Sequence, residues 1–80
     1  MSEEWSVYLL RCSDGTYYTG ITNNIDKRLS RHLTGSASKY TRGRLPVFLV
    51  ASKKLPSKSA ALREEYRIKR LPRRKKPFAF

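Results

Sequence analysis

Trp5-Ser6-Val7-Tyr8-Leu9-Leu10-Arg11, then Cys12, Ser13-Asp14-Gly15 and Thr16-Tyr17-Tyr18-Thr19-Gly20-Ile21, is the stretch on which the fold turns. Both flanking runs are rich in strand formers, and Ser-Asp-Gly between them is a hairpin signal. The turn length decides which side chains share a face. A three-residue loop, a type I turn with Gly15 left-handed, is a standard hairpin connection. It pairs Cys12 with Thr16, Leu10 with Tyr18 and Tyr8 with Gly20. Tyr8 and Tyr18 then lie diagonally on one face, with no side chain opposite Tyr8. A two-residue Asp14-Gly15 loop would put the tyrosines on opposite faces, because a slip of one residue inverts a strand. The sequence permits both; the three-residue loop is the preferred reading.

Beyond the hairpin, Asn23 or Asn24 can cap a helix to about Leu33, with Asp26 near its positive end. Ile25, Leu29 and Leu33 form its apolar stripe, and Arg28 and His32 sit one turn apart on the stripe's edge. Thr34 to Leu45 has no apolar period and is expected to be a surface loop. Pro46 opens Val47-Phe48-Leu49-Val50-Ala51, a continuous apolar run expected to be the best-buried strand. Ser57 or Ser59 starts a second helix, which runs to about Leu71 before Pro72 stops it. At 3.6 residues per turn, Arg63, Arg67 and Arg70 share a solvent face. Ala61, Leu62, Ile68 and Glu65 take the opposite face, while Glu64 lies off its centre. The basic tail from about residue 72, Pro72 to Pro77, is too charged for a core. The order β-β-α-β-α predicts an α+β fold: a small three-stranded antiparallel sheet flanked by two or more helices, one domain over 1–80.

A chain of 80 residues buries only a little over half of its unfolded surface, so the core must be compact. Its 39% apolar and 11% aromatic content exceeds that of a disordered chain. Net charge is +12 and unevenly placed. Residues 1–40 carry five Lys/Arg against four Asp/Glu, and residues 41–80 carry thirteen against two. That asymmetry asks for a polyanion, with nucleic acid ahead of an acidic membrane; a solvated basic tail is the plainer alternative. The single cysteine, Cys12, excludes an internal disulfide, and with one histidine a structural zinc site is not expected. No run approaches the ~20 apolar residues of a membrane span, and the acidic N-terminus is unlike a signal peptide. The expectation is a cytoplasmic, reduced, monomeric protein.

Four features ask for chemistry: the tyrosine pair, Arg28 with His32, the inward Glu65 and the basic second half. Each has a plain reading. Strand tyrosines usually pack half-buried, and a histidine beside an apolar stripe is usually structural. Glu65 is harder to dismiss, because an unpaired buried carboxylate costs several kcal/mol, an order-of-magnitude figure. It needs a cation, and Lys69 one turn on is the ordinary partner.

In order and spacing these residues resemble the GIY-YIG endonuclease superfamily. Val7-Tyr8-Leu9 stands where the GIY triplet would, and Tyr18-Thr19-Gly20 where YIG would, ten residues apart at the tyrosines. Arg28 falls ten residues after Tyr18, and His32 four later, at a place where members carry His or Tyr. Glu65 sits on the last helix, where the family's metal-binding glutamate is expected. Lys39-Tyr40-Thr41-Arg42-Gly43 before a Pro-led strand is similar to the signature of its small single-domain (YhbQ/YazA-like) subfamily.

The resemblance implies a phosphodiesterase with one divalent cation, Mg²⁺ or Mn²⁺, held by Glu65 and waters. Tyr8 would be the general base, its phenol needing nearby positive charge to ionise near neutral pH. Arg28 would supply that field and clamp a phosphate oxygen. Tyr18 and His32 would position phosphate or water, with His32 an alternative base. Gly15 serves the turn, and Gly20 would keep the hairpin open over Tyr8. Lys39, Arg42 and Arg44, with Arg73, Arg74, Lys75 and Lys76, are expected phosphate contacts. Tyr40 stacks on an unpaired base or packs against its own loop. The implied function is a DNA endonuclease or nickase of low sequence specificity, with branched or damaged DNA, in repair, as candidate substrate and RNA as a second option. Ile21 replaces a Lys that several members carry, and the family's later Asn is not evident. Those departures support the alternative of a non-catalytic nucleic-acid-binding module; a basic protein-interaction domain is the third reading.

Overall fold

The computed structural model describes residues 4–80; residues 1–3, with the acidic Glu3, lie outside it. The elements are β1 (Trp5–Arg11), β2 (Tyr17–Thr22), α1 (Ile25–Leu33), α2 (Lys39–Arg42), β3 (Phe48–Leu55), α3 (Lys58–Lys69) and a C-terminal 3-10 helix (Arg73–Ala79). The strands form one antiparallel sheet in the order β2-β1-β3. The predicted α+β architecture is the one observed.

The hairpin takes the three-residue loop. Tyr8 pairs with Gly20 and Leu10 with Tyr18. The Cys12 amide donates to the Thr16 carbonyl at 2.8 Å, and Gly15 sits at φ 82°, in the left-handed region that favours glycine. Asp14 closes the turn by accepting from the Thr16 amide and hydroxyl. Tyr8, Leu10 and Cys12 therefore share a face, where they pack with Val47 and the half-buried Tyr18, Ile25, Leu29 and Tyr40. Val7 and Leu9 point the other way and are fully buried, as are Ala61 and Ile68 of α3, which lies chiefly over β1 and β2. Val7, Leu9 and Ile68 each contribute about 1.5–3 kcal/mol by leaving water.

Asn24 caps α1 by accepting from the Lys27 amide, and Ser57 caps α3 by accepting from the Ala60 amide. Both are sequence-predicted caps of the kind that supply an orphan donor with a side-chain oxygen. Ser38 caps α2 in the same way, through the Tyr40 amide.

Three expectations need correction. Thr34 to Leu45 is not wholly surface loop, because it contains α2, whose Thr41 is fully buried. The best-buried strand is β1, which has a partner on both sides. The apolar run at 47–51 contributes only Val47 to the core; Phe48 is 61% exposed, and Leu49 and Val50 are also exposed, because β3 is an edge strand. A bulge between Leu9 and Leu10 leaves Val50 without a partner across the ladder. Leu62 is exposed rather than inward. The basic tail contributes no buried residue, as its charge implied. It is held by Lys76 Nζ, which donates to the Ile68 and Lys69 carbonyls at the end of α3, and by Lys53 Nζ, which donates to the Ala79 carbonyl.

Candidate active site

Tyr8 is the centre of the predicted constellation. Strand alternation turns it toward α1, and its ring folds over Gly20, where a Cβ would stand 2.5 Å from the Tyr8 hydroxyl. The open space over Gly20 that the resemblance implied is taken up by Tyr8's own ring. With the ring so placed, the Tyr8 hydroxyl lies 2.9 Å from His32 Nε2. His32 Nδ1 lies 2.9 Å from Thr41 Oγ1. Tyr18 completes the cluster, its ring centre 6.4 Å from that of Tyr8 and 5.1 Å from that of His32.

The proton positions follow from donor counting. His32 is fully buried, and burial together with the Arg28 charge lowers its pKa to about 4, so it is neutral at pH 7 with one N–H. The Thr41 hydroxyl donates to the Ser38 carbonyl, leaving its oxygen to accept. His32 Nδ1–H therefore donates to Thr41, and the Tyr8 O–H donates to Nε2. The result is an ordered chain, Tyr8 to His32 to Thr41, with no spare donor.

Arg28 lies beside both phenols, and the Tyr8 side chain is the main reason its guanidinium pKa is raised. Its Nη2 donates to the Ala37 carbonyl at 3.4 Å, while its Nε is buried without a partner. A buried, unpaired donor on a cation is costly, and it is the only such side-chain atom among the described residues. Arg28 was expected to lower the Tyr8 pKa, and it acts in that direction. Burial outweighs it, so the net Tyr8 pKa is raised, with Tyr18 and Glu65 adding to the rise.

Glu65, on α3, is close enough for its charge to oppose Tyr8 ionisation, and it forms an ion pair with Lys69 at 3.3 Å. Its side chain is 19% exposed, that of Lys69 54%. Among the described residues no three His, Cys, Asp or Glu converge. A lone carboxylate of this kind fits a hard cation completed by waters, which would take the place of Lys69. Glu64, the carboxylate placed off the face, is held more tightly. It pairs with Arg67 and Lys53, which depress its pKa to about 2.

The expected phosphate contacts divide into free and engaged groups. Lys39, Arg42, Arg73, Arg74 and Lys75 are exposed. Arg44 is tied to Asp14 at 2.9 Å and to the Tyr40 carbonyl at 2.8 Å, and its guanidinium covers the Tyr40 ring. Tyr40 packs on its other neighbour, Tyr18, with ring centres 5.9 Å apart, so its aromatic faces are used within the fold. Lys76 is spent on the end of α3. Sequence reasoning gave Thr41 no role in the site, although it lies in the Lys39–Gly43 stretch that carries the subfamily resemblance and follows Ser38, the cap of a short helical turn. It also missed Lys27 and Arg31, one turn apart on α1. With Thr22, Asn23, Asn24 and Arg28 they line a polar notch of about 190 Å³.

A hairpin with two neighbouring tyrosines on one face, a following helix carrying Arg and His, and a glutamate on α3 are the features of a GIY-YIG catalytic domain. The family model of that description matches residues 4–77, and the chain belongs to this family. Within it the chain is 54% identical over 70 residues to a UPF0213 protein of Nitratidesulfovibrio vulgaris, an alignment covering 88% of this chain and 64% of that relative. It is 55% identical to a UPF0213 protein of Oceanobacillus iheyensis, over 91% of this chain and 85% of the relative. The solution NMR structure of a UPF0213 protein from Bacillus halodurans superposes with a TM-score of 0.57 at 51% identity, covering 91% of this chain and 78% of that one. A GIY-YIG domain is a nuclease-type domain, and its substrate class is nucleic acid. No helix among the described residues is long and apolar enough to cross a membrane.

Proposed function

We propose that this chain is a divalent-metal-dependent DNA endonuclease or nickase of low sequence specificity, with branched or damaged duplexes as its preferred substrates. The observation that carries the reading is Arg28, a half-buried cation with an unpartnered Nε set between two phenols and a cationic notch. Such a group is satisfied by an anion, and a phosphate oxygen fits its fork. Lys27 and Arg31 would hold the neighbouring phosphate in the notch. Tyr8 need not ionise in advance. Its oxygen takes a proton from the attacking water while its own proton passes to His32 Nε2, and the resulting imidazolium keeps its Nδ1–H on Thr41. Tyr18 supports the rings in that geometry. Glu65 would hold the Mg²⁺ or Mn²⁺ ion, which supplies Lewis acidity at the phosphate when bound.

Nicking of supercoiled plasmid in Mg²⁺ or Mn²⁺ tests the reading, with Glu65→Ala and Arg28→Ala beside the wild type. Both substitutions are expected to lower the rate at least about a hundredfold, the scale of losing a charge-stabilising group. Unchanged nicking in either variant sinks the assignment of that residue. The second reading, a non-catalytic nucleic-acid-binding module, draws support from the Glu65–Lys69 ion pair and the raised Tyr8 pKa. Tight binding without cleavage of plasmid, branched or damaged DNA would decide for it.

A further inference from the structure

On the sheet face opposite Tyr8 and Tyr18, the turn end of the hairpin faces the C-terminal 3-10 helix across an open groove of about 730 Å³. Arg11 and Tyr17 are cross-strand partners on one wall, and Pro72, Arg73 and Arg74 form the other, with Gly15 at the rim. The three arginines are exposed, and the ion pairs among the described residues leave all of them without a carboxylate partner. Three exposed guanidiniums lining one groove give it a positive field. Tyr17 is half-buried between them and, unlike Tyr18 and Tyr40, takes no aromatic or cationic partner there.

We infer that this groove binds an unpaired nucleic-acid strand, its phosphates on Arg11, Arg73 and Arg74 and one base against the Tyr17 ring. The inference rests on the nucleic-acid reading above and adds a second site to it. Guanidinium forks match phosphate oxygens, and stacking on an aromatic ring requires a base that is not already in a duplex. Gly15 stands at the rim of the groove, so an unpaired strand rounding the hairpin tip would enter it while a duplex arm lies on the opposite, phenol face. The groove thereby selects substrates that carry both kinds of arm.

Fluorescence anisotropy without divalent ions reads the two sites separately, using a labelled oligothymidylate, an oligouridylate of equal length and a blunt duplex across a salt series. Arg11→Ala/Arg73→Ala/Arg74→Ala is expected to weaken single-strand binding more than about tenfold and to reduce the salt slope by about 2, at roughly 0.7 per lost phosphate contact. Duplex binding should change much less. Tyr17→Ala should weaken single-strand binding about tenfold, while Tyr17→Phe, which keeps the stacking face, retains it. Lys58→Ala/Arg63→Ala, at exposed positions of α3 with no assigned binding role, is the comparison for diffuse charge, and circular dichroism checks folding of every variant. If the triple variant loses no more single-strand affinity per removed charge than that comparison, or if Tyr17→Ala binds like wild type, the groove proposal is overturned while nucleic-acid binding stands. If the wild type binds none of the probes at low salt, both readings fail. Equal behaviour of the thymidylate and uridylate assigns the groove to either nucleic acid, whereas a preference assigns it to one.

Discussion

At the scale of single residues, the buried chain from Tyr8 through His32 to Thr41 is the most tightly specified part of the site. Thr41→Val removes the acceptor of His32 Nδ1–H and should cost about 1–3 kcal/mol, the penalty of an unpaired buried donor. Thr41→Ser should restore most of it. Denaturant midpoints measure the loss, and ¹⁵N shifts of the imidazole report whether the ring still carries its proton on Nδ1. Gly20→Ala tests the other side of Tyr8. The added methyl meets a hydroxyl already held by His32, so the ring cannot swing away cheaply. A destabilisation of about 1–3 kcal/mol is expected, the usual range for overpacking. Thermal or chemical unfolding will show it, and no loss would mean that the ring seats elsewhere.

At the scale of elements, the sequence was legible where one local rule decided the outcome. The hairpin followed from its turn chemistry, and the α1 and α3 starts from Asn24 and Ser57. It was not legible where the outcome depended on position in the sheet. Nothing in Val47 to Ala51 says that this strand will lie at an edge, and an apolar run carries the same pattern for a central strand. Nor did the short stretch from Lys39 to Arg42 have enough turns to show a helical period, although Thr41 completes the site. For the site, Tyr8, Tyr18, Arg28 and His32 were grouped through the resemblance that their order and spacing carry to the GIY-YIG family. The tail was read correctly as too charged for the core, but charge alone does not tell a solvated lysine from an engaged one. Lys76 shows the difference: its ammonium caps α3, and burial lowers its pKa. Lys76→Met should cost about 1–2 kcal/mol through the lost bonds to the Ile68 and Lys69 carbonyls. Because that lysine is occupied, the same substitution should leave the salt slope of nucleic-acid binding nearly unchanged, a result that anisotropy can check.

At the scale of the whole molecule, two groups make stability depend on pH in adjoining acid windows. The folded pKa of His32 lies below its unfolded value, so the unfolded chain binds a proton first as pH falls. Stability should decline from about pH 6.5 to about 4, at up to about 1.4 kcal/mol per pH unit. The Glu64 carboxyl is also depressed, so its contribution is present above about 4.5 and is lost as pH falls toward 2. His32→Gln should flatten the upper window and Glu64→Gln the lower one. Unfolding midpoints measured across pH 2–8 separate them, and a single shared window would contradict the assignment.

The outer rim of β3 also governs how copies of the molecule meet. An edge strand offers unpaired amides and carbonyls to any other extended chain, and Phe48, Leu49 and Val50 add a sticky apolar surface beside them. Lys54 stands exposed further along the strand, and the +12 net charge holds neighbours apart. That deterrent is electrostatic, so its range contracts from about 10 Å at 0.1 M salt to about 3 Å at 1 M. Concentrated salt, which strips a basic protein of bound polyanion, therefore also leaves the rim least protected from aggregation. Colloidal stability and freedom from nucleic acid pull in opposite directions in this molecule.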